Sequence, residues 1–182
     1  MPASALWVVL ITMIYPLAVW LGQEQIEPRI LAGLLVLAGW TRLHALKIGG
    51  GGRWWLGGTL LLFILAVWSN GWLPLKLYPV LVNVALLGTF AYSLISPPSI
   101  IERFARMREP DLPVEAIGYT RRVTQVWCGF FSVNGAIALI TALWASATIW
   151  TLYNGLIAYL MMGLLFGGEY FTRWHFKKRL NV

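Results

Sequence analysis

Six stretches of this chain are apolar enough to cross a lipid bilayer, and little sequence is left between them. The hydrocarbon core of a bilayer is about 30 Å thick, which an α-helix of roughly 20 apolar residues spans. Of the 182 residues, 59% are hydrophobic and 12% are charged, whereas a soluble domain has about 25% charged residues. We therefore expect an all-α fold, a polytopic transmembrane helical bundle forming a single integral membrane domain over residues 1–182.

The six predicted spans have lengths that fit a membrane crossing. Their expected bounds are about 3–22, 30–46, 54–69, 76–95, 123–147 and 148–170. The first lacks the basic start and the small-residue cleavage site of a signal peptide, so we interpret it as a retained helix. The clearly apolar part of the second ends near Trp40, so Arg42 and His44 are expected to reach the headgroups or a polar vestibule.

Positive charge alternates from loop to loop. The last turn of the second span, the loops after the second and fourth spans and the tail after the sixth contain twelve Lys and Arg residues, whereas the other loops and span edges contain Arg29 and Lys76. Because Lys and Arg stay on the cytoplasmic side, this distribution predicts that both termini are cytoplasmic. Most of the eleven tryptophans lie near predicted span ends, as expected for a side chain that prefers the headgroup region. The net charge of +7 thus reflects topology and contact with anionic lipids, and we expect no nucleic-acid partner.

A short helix is predicted between the fourth and fifth spans, over about 99–108. Ser99 and Glu102 form the S-x-x-E pattern of a capping box at its start. Apolar residues share one face of this helix, and the other face carries Arg103, Arg106 and Arg108. A basic amphipathic helix of this kind lies flat on an anionic leaflet, and the alternative is a loop helix that packs on the protein.

No catalytic motif is evident, and we expect no catalytic residue, metal or cofactor. Four glycines at 49–52 lack the Lys-Ser/Thr of a P-loop, and neither His44 nor His175 has a partner at metal-ligand spacing. Cys128, the single cysteine, is interpreted as a packing residue. The function is therefore expected to be non-enzymatic. The alternative is an intramembrane enzyme, for which Glu169 with one of the histidines is the combination of acid and base that the sequence offers.

Polar side chains within the last three predicted spans form the candidate ligand cavity. A polar group in hydrocarbon needs a partner, so it faces the bundle interior or a cavity. The candidate cavity residues are Tyr78, Asn83, Tyr92, Asn134, Tyr153, Asn154, Tyr159 and Glu169. Interhelical hydrogen bonds, worth about 0.6–2 kcal/mol each, are the favoured interpretation of the asparagines, and ligand binding is the alternative. Glu169 is also placed for an i,i+4 ion pair with Arg173.

A second candidate set is basic and lies at the predicted inner face. It consists of Arg42, His44, Arg103, Arg106, Arg108, Arg121 and Arg122. These side chains would contact an anionic lipid headgroup or an acidic partner such as an acyl-carrier protein. The alternative is that they act only as topology charges.

Small residues at helical spacing predict close helix contacts. The sixth span contains the GxxxG step Gly163 and Gly167. A stripe on the fifth span consists of Cys128, Ser132 and Ala136. Such stripes let two backbones approach closely, within the bundle or between the protomers of a homo-oligomer.

The second half of the chain carries motifs of known families. A Pro before a short basic helix, the run Trp127–Phe131 with Asn134, and Trp150 with Asn154 resemble the intracellular septation protein A family of small bacterial inner-membrane proteins. A fuller pattern adds Tyr78-Pro79-Val80 with Asn83, Tyr153-Asn154-Gly155 with Tyr159, and Glu169-Tyr170. That pattern resembles more closely a group of uncharacterised membrane proteins often encoded among aryl-polyene pigment biosynthesis proteins. The resemblance covers roughly the last hundred residues well and the first seventy only in hydropathy.

The resemblance implies a multi-pass protein of the Gram-negative inner membrane with an envelope-related role, and it carries over no catalytic residues. Two functions follow as expectations. One is a non-enzymatic scaffold or accessory factor in envelope or aryl-polyene-type lipid assembly. The alternative is a lipid or polyene-lipid handling or transport protein, with a cavity between the fourth, fifth and sixth spans.

Overall fold

The computed structural model of this chain describes residues 16–22, 30, 61, 64, 65, 68, 71–107 and 109–180, with side chains as far as Arg173. Residues 16–22 are helical and end the first predicted span. Most of the first three predicted spans lies outside the described residues, as do Arg42, His44 and Arg108.

From residue 71 onward the described chain is built of helices joined by short connections. The elements are α1 (Leu73–Lys76), α2 (Tyr78–Ile95), α3 (Ile100–Arg106), α4 (Val114–Trp144), α5 (Ala147–Leu152), a π-helical turn (Tyr153–Ile157) and α6 (Ala158–Leu180). α1 leads directly into α2, and α5 continues through the π-helical turn into α6. Within the described ranges, all regular secondary structure is therefore helical.

Three of these helices are long and apolar enough to cross a membrane. They are Leu73–Ile95, Val114–Trp144 and Ala147–Arg173. Helices at the positions of the predicted fourth, fifth and sixth spans are thus confirmed, although their bounds differ. α4 begins at Val114, directly after Pro113, because a helix can continue through the polar residues that precede its apolar part. It ends where Ala145 turns extended, and Ser146 caps α5 by accepting a hydrogen bond from the Ile149 N–H (3.3 Å).

The core forms where α2 packs against α4. The buried residues of α4 recur every three or four positions, at Thr120, Thr124, Trp127, Phe131, Asn134, Ala138 and Thr141. This spacing places them in one stripe along the helix. At Gly135 a Cβ would lie 3.0 Å from the Cβ of Asn83, so the two backbones approach closely there.

The small residues predicted to make helix contacts within the bundle lie elsewhere. Ser132 and Ala136 are exposed, and a Cβ at Gly163 or Gly167 would meet no atom within 4 Å. Among the described residues, Gly135 makes the close approach between helices. Packing through the predicted stripes against the rest of the bundle stays a prediction. Contact between protomers through these residues stays a prediction.

A second part of the core surrounds Trp150, whose side chain is 0% exposed. The buried cluster consists of Val19, Leu75, Tyr78, Ala142 and Trp150. The indole Nε1 of Trp150 donates a hydrogen bond to the carbonyl oxygen of Lys76 (3.1 Å), which ties α5 to the end of α1. Trp127 is also buried, at 3% exposed. These two tryptophans are therefore covered by protein, and their level relative to the headgroups stays a prediction.

The connection between α2 and α4 folds onto both helices through α3. Ser99 precedes α3, but its hydroxyl makes no capping hydrogen bond. The Ile100 N–H instead donates to the Ser93 hydroxyl (3.0 Å), and the Glu102 carboxylate accepts from Arg106 Nη2 (2.8 Å). The predicted capping box is therefore wrong, because a charge-assisted bond to Arg106 engages the carboxylate that the box requires.

Candidate functional site

Three of the predicted cavity residues are joined in one hydrogen-bond chain between α2, α4 and the π-helical turn. Asn134 Nδ2 donates to Asn83 Oδ1 (3.0 Å), and the Tyr153 hydroxyl donates to Asn134 Oδ1 (2.9 Å). Asn83 Nδ2 donates in turn to the carbonyl oxygen of Pro79 (2.8 Å). All three side chains are buried. Their mutual hydrogen bonds satisfy polar groups for which the hydrocarbon of a membrane offers no partner. We call this set, Asn83, Asn134 and Tyr153, the interior amide chain.

Two consecutive residues of the π-helical turn both face the interior. Tyr153 is 8% exposed and Asn154 is 4% exposed. Asn154 Nδ2 donates to the carbonyl oxygen of Trp150 (2.9 Å) and to the hydroxyl of Thr141 (3.3 Å). The turn thus bonds the last helix to α4 at a second point.

A small cavity of about 80 Å³ lies beside the interior amide chain. The predicted site residues that line it are Tyr78, Asn83, Asn134, Asn154 and Tyr159. Its volume is large enough for water and well below that of ligand pockets, which measure about 300–1,000 Å³. The asparagines here hydrogen-bond between and within helices, and the cavity is too small for a lipid.

The other three predicted cavity residues lie apart from this lining. Tyr153 is bonded to Asn134 and does not line the cavity. Tyr92 is 66% exposed on the surface of α2. Glu169 belongs to a different and larger groove. The structure therefore brings together five of the eight predicted residues around one cavity.

That larger groove, of about 460 Å³, lies between α4 and α6. Its lining is Tyr119, Arg122, Val123, Val126, Trp127, Leu164, Leu165, Gly168, Glu169 and Thr172. The two helices run antiparallel, since Tyr119 hydroxyl donates to the carbonyl oxygen of Glu169 (3.4 Å) at one end. Further along, the rings of Trp127 and Phe166 are 4.5 Å apart between centroids. We call this feature the α4–α6 groove.

The α4–α6 groove changes character along its length. Its polar lining residues, Tyr119, Arg122, Glu169 and Thr172, all lie toward the start of α4 and the end of α6. Its other end is apolar and is formed by Val126, Trp127, Leu164 and Leu165. Trp127 also contacts the rings of Phe90, Phe130 and Phe131, which pack against it. A molecule with a polar head and an apolar tail matches this gradient.

Two opposite charges lie at the polar end, and they do not pair with each other. Between described residues, the ion pair within 4.0 Å is the one joining Arg106 to Glu102. Arg122 and Glu169 are therefore unpaired with respect to the described chain. The predicted i,i+4 pair between Glu169 and Arg173 is likewise not formed, so that expectation is wrong.

The predicted basic set divides into two groups. Arg103 donates from Nε to the carbonyl oxygen of Pro98 (2.8 Å) and from Nη2 to that of Ser96 (3.3 Å). Arg106 bonds Glu102 and, through Nη1, the carbonyl oxygen of Pro110 (3.3 Å). These two guanidinium groups hold the connection around α3. Arg121 and Arg122 are exposed near the start of α4, and the role of the whole set at a headgroup stays a prediction.

Sequence reasoning missed most of the α4–α6 groove. The polar residues at 119 and 122 and those at 169 and 172 are each one helical turn apart, which is a readable signal. Which two helices enclose them is not readable from one sequence. In the part of the chain that the structure describes, no three His, Cys, Asp or Glu side chains group as metal ligands.

Comparisons with known proteins identify no relative. No family model matches this chain, and neither a curated protein nor a solved structure matches it. The resemblance seen in the sequence motifs therefore stays a prediction.

Proposed function

We propose that this protein is a non-enzymatic accessory factor of the bacterial inner membrane that binds a lipid-like amphiphile during envelope assembly. The α4–α6 groove carries the proposal. Its volume of about 460 Å³ lies within the range of ligand pockets, about 300–1,000 Å³. The gradient from Glu169 and Arg122 to Leu164 and Val126 follows the direction in which a membrane changes from headgroups to hydrocarbon.

The positions of the cations support an orientation for this groove. Arg121 and Arg122 on α4 and Arg173 on α6 lie at its polar end. Since Lys and Arg stay on the cytoplasmic side, the polar end belongs at the cytoplasmic headgroups. Six spans with both termini cytoplasmic are part of this proposal.

The surface of α3 supports the same placement. Glu102 and Ala105 are buried, whereas Phe104 and Met107 are 58% and 81% exposed. An apolar face turned away from the protein is suited to the boundary between headgroups and acyl chains. We propose that α3 lies in that boundary on the cytoplasmic side, next to the polar end of the groove.

The resemblance to membrane proteins encoded with aryl-polyene biosynthesis supports an envelope lipid or a pigment-bearing lipid as the cargo. A scaffold function, with membrane or acyl-carrier protein partners, is part of the expectation from the sequence. Purification in several mild detergents tests it, because repeated recovery without any bound protein would argue against a scaffold.

Retention of lipid by the purified full-length protein tests the proposed function. Gly168 lines the α4–α6 groove, and a Cβ there would meet no atom within 4 Å, so the side chain of Gly168→Phe can leave the backbone without a clash and occupy groove volume. Gly88 on α2 is also open, lies outside the groove lining and provides the matched control Gly88→Phe. Native mass spectrometry is expected to show bound amphiphile in the wild type and in Gly88→Phe, and its loss in Gly168→Phe. Equal retention by both variants would refute the proposal.

A further inference from the structure

We infer that the α4–α6 groove selects an amphiphile whose headgroup joins a phosphate to a primary ammonium, as in phosphoethanolamine lipids. The inference rests on the proposed function, because it names the ligand class of the same groove. Its basis is the arrangement of Arg122 and Glu169 at the polar end.

The two charges line one groove, and neither is paired with a described residue. A guanidinium binds phosphate through two parallel N–H donors, and a carboxylate accepts from an ammonium. A headgroup with both charges therefore contacts Arg122 with its phosphate and Glu169 with its ammonium. A single ligand of this type matches both signs of charge.

One hydrogen bond links the two helices at the polar end. The Tyr119 hydroxyl donates to the carbonyl oxygen of Glu169 over 3.4 Å. Thr172 donates its hydroxyl hydrogen to the carbonyl oxygen of Gly168 (2.7 Å), so its oxygen is oriented as an acceptor. Beside Glu169, that oxygen provides a second acceptor for the ammonium.

The headgroup, and not the tail, decides selectivity in such a groove. A tail that moves from the bilayer into the apolar end exchanges one apolar environment for another, so little net free energy is gained there. A purely anionic head would place its charge near the Glu169 carboxylate. A head without phosphate would leave Arg122 unmatched. Arg121 and Arg173 lie at the same end outside the groove lining and attract anionic lipid only in general.

The experiment uses full-length protein in nanodiscs with equal amounts of phosphatidylethanolamine, phosphatidylglycerol and diacylglycerol, and native mass spectrometry of the retained lipid. We expect phosphatidylethanolamine to be enriched in the wild type. In Glu169→Gln its preference over phosphatidylglycerol should fall about tenfold, since one charge-assisted contact is lost. In Arg122→Gln retention of both phospholipids should fall relative to diacylglycerol.

Matched variants and a change in the ligand separate the outcomes. Glu115→Gln makes the same charge change as Glu169→Gln on an exposed α4 residue outside the groove and should leave selectivity unchanged. Arg121→Gln is the matched control for Arg122→Gln and should leave the retention of phosphatidylethanolamine relative to diacylglycerol unchanged. N-acylation of phosphatidylethanolamine removes the ammonium charge and should lower retention by the wild type, which tests Glu169 even if its variant does not fold. Retention that Gly168→Phe abolishes, but with no headgroup preference, overturns this inference and leaves the proposed function standing. Retention that Gly168→Phe leaves intact refutes both.

Discussion

Replacing Asn134 by Leu should destabilise the bundle by about 2–3 kcal/mol. The substitution removes two buried hydrogen bonds, to Asn83 Oδ1 (3.0 Å) and from the Tyr153 hydroxyl (2.9 Å). Interhelical hydrogen bonds in membranes average about 0.6 kcal/mol and reach about 1.7 kcal/mol. Leaving a buried group without a partner adds about 1–3 kcal/mol. Leu has the same branched arrangement of side-chain heavy atoms as Asn but bulkier methyl groups, so no cavity forms and any crowding adds to the loss.

A double-mutant cycle separates the network from general damage. Tyr153→Phe removes one of the two bonds and should destabilise by about 1 kcal/mol. Because both substitutions break the same bond, the double variant should be less destabilised than the sum, with a coupling of about 0.5–1.5 kcal/mol. Unfolding by dodecyl sulfate in mixed micelles, followed by far-UV circular dichroism, measures each free energy.

The control for this cycle is on the same helix. Ser132 is exposed, and its hydroxyl bonds the carbonyl oxygen of Cys128 within α4 (2.9 Å). Ser132→Ala should therefore change stability by less than about 0.5 kcal/mol. Strictly additive effects of the Asn134 and Tyr153 substitutions would refute the interior amide chain.

Three further substitutions test other contacts by the same unfolding assay. Gly135→Ala should destabilise by about 1 kcal/mol or more, because its Cβ would lie 3.0 Å from an α2 side chain, whereas Gly129→Ala meets open space and should not destabilise. Trp150→Phe removes the bond to the end of α1 and leaves a void, which should lower stability by about 1–3 kcal/mol; an unchanged value would contradict its role in the core. Glu102→Ala removes the ion pair with Arg106 and should speed proteolysis of the connection between α2 and α4, with little effect on the stability of the helices. Equal cleavage rates in the variant and the wild type would show that the ion pair does not hold this connection.

Hydropathy located the last three helices well, because lipid leaves an apolar run of some twenty residues few alternatives to a helix. The same physics accounts for the burial of Asn83, Asn134 and Asn154, whose amides need partners inside the bundle. Tyr92 differs because a tyrosine near a helix end can place its hydroxyl at the headgroups while its ring remains exposed.

Other features depend on pairings that one sequence does not display. Several small residues on α4 and α6 satisfy the spacing rule, and the rotation of α4 about its own axis determines that Gly135 contacts α2. Ser99 and Glu102 match the capping pattern, but Arg106 is equally well placed for the carboxylate and binds it. The α4–α6 groove exists because α4 and α6 are neighbours in the fold. No local sequence pattern indicates which helices are neighbours.

The π-helical turn at Tyr153–Ile157 has a consequence for the evolution of this chain. It accommodates one residue more than a regular turn, and each residue in an α-helix advances the rotation by about 100°. Deleting a single residue there would restore regular winding and leave the later side chains close to their present direction. A deletion in the regular part of the last helix would instead rotate every later side chain by about 100° and carry Glu169 away from α4. The π-helical turn is thus the place where this helix can lose one residue without re-aiming the carboxylate that lies some fifteen residues further along.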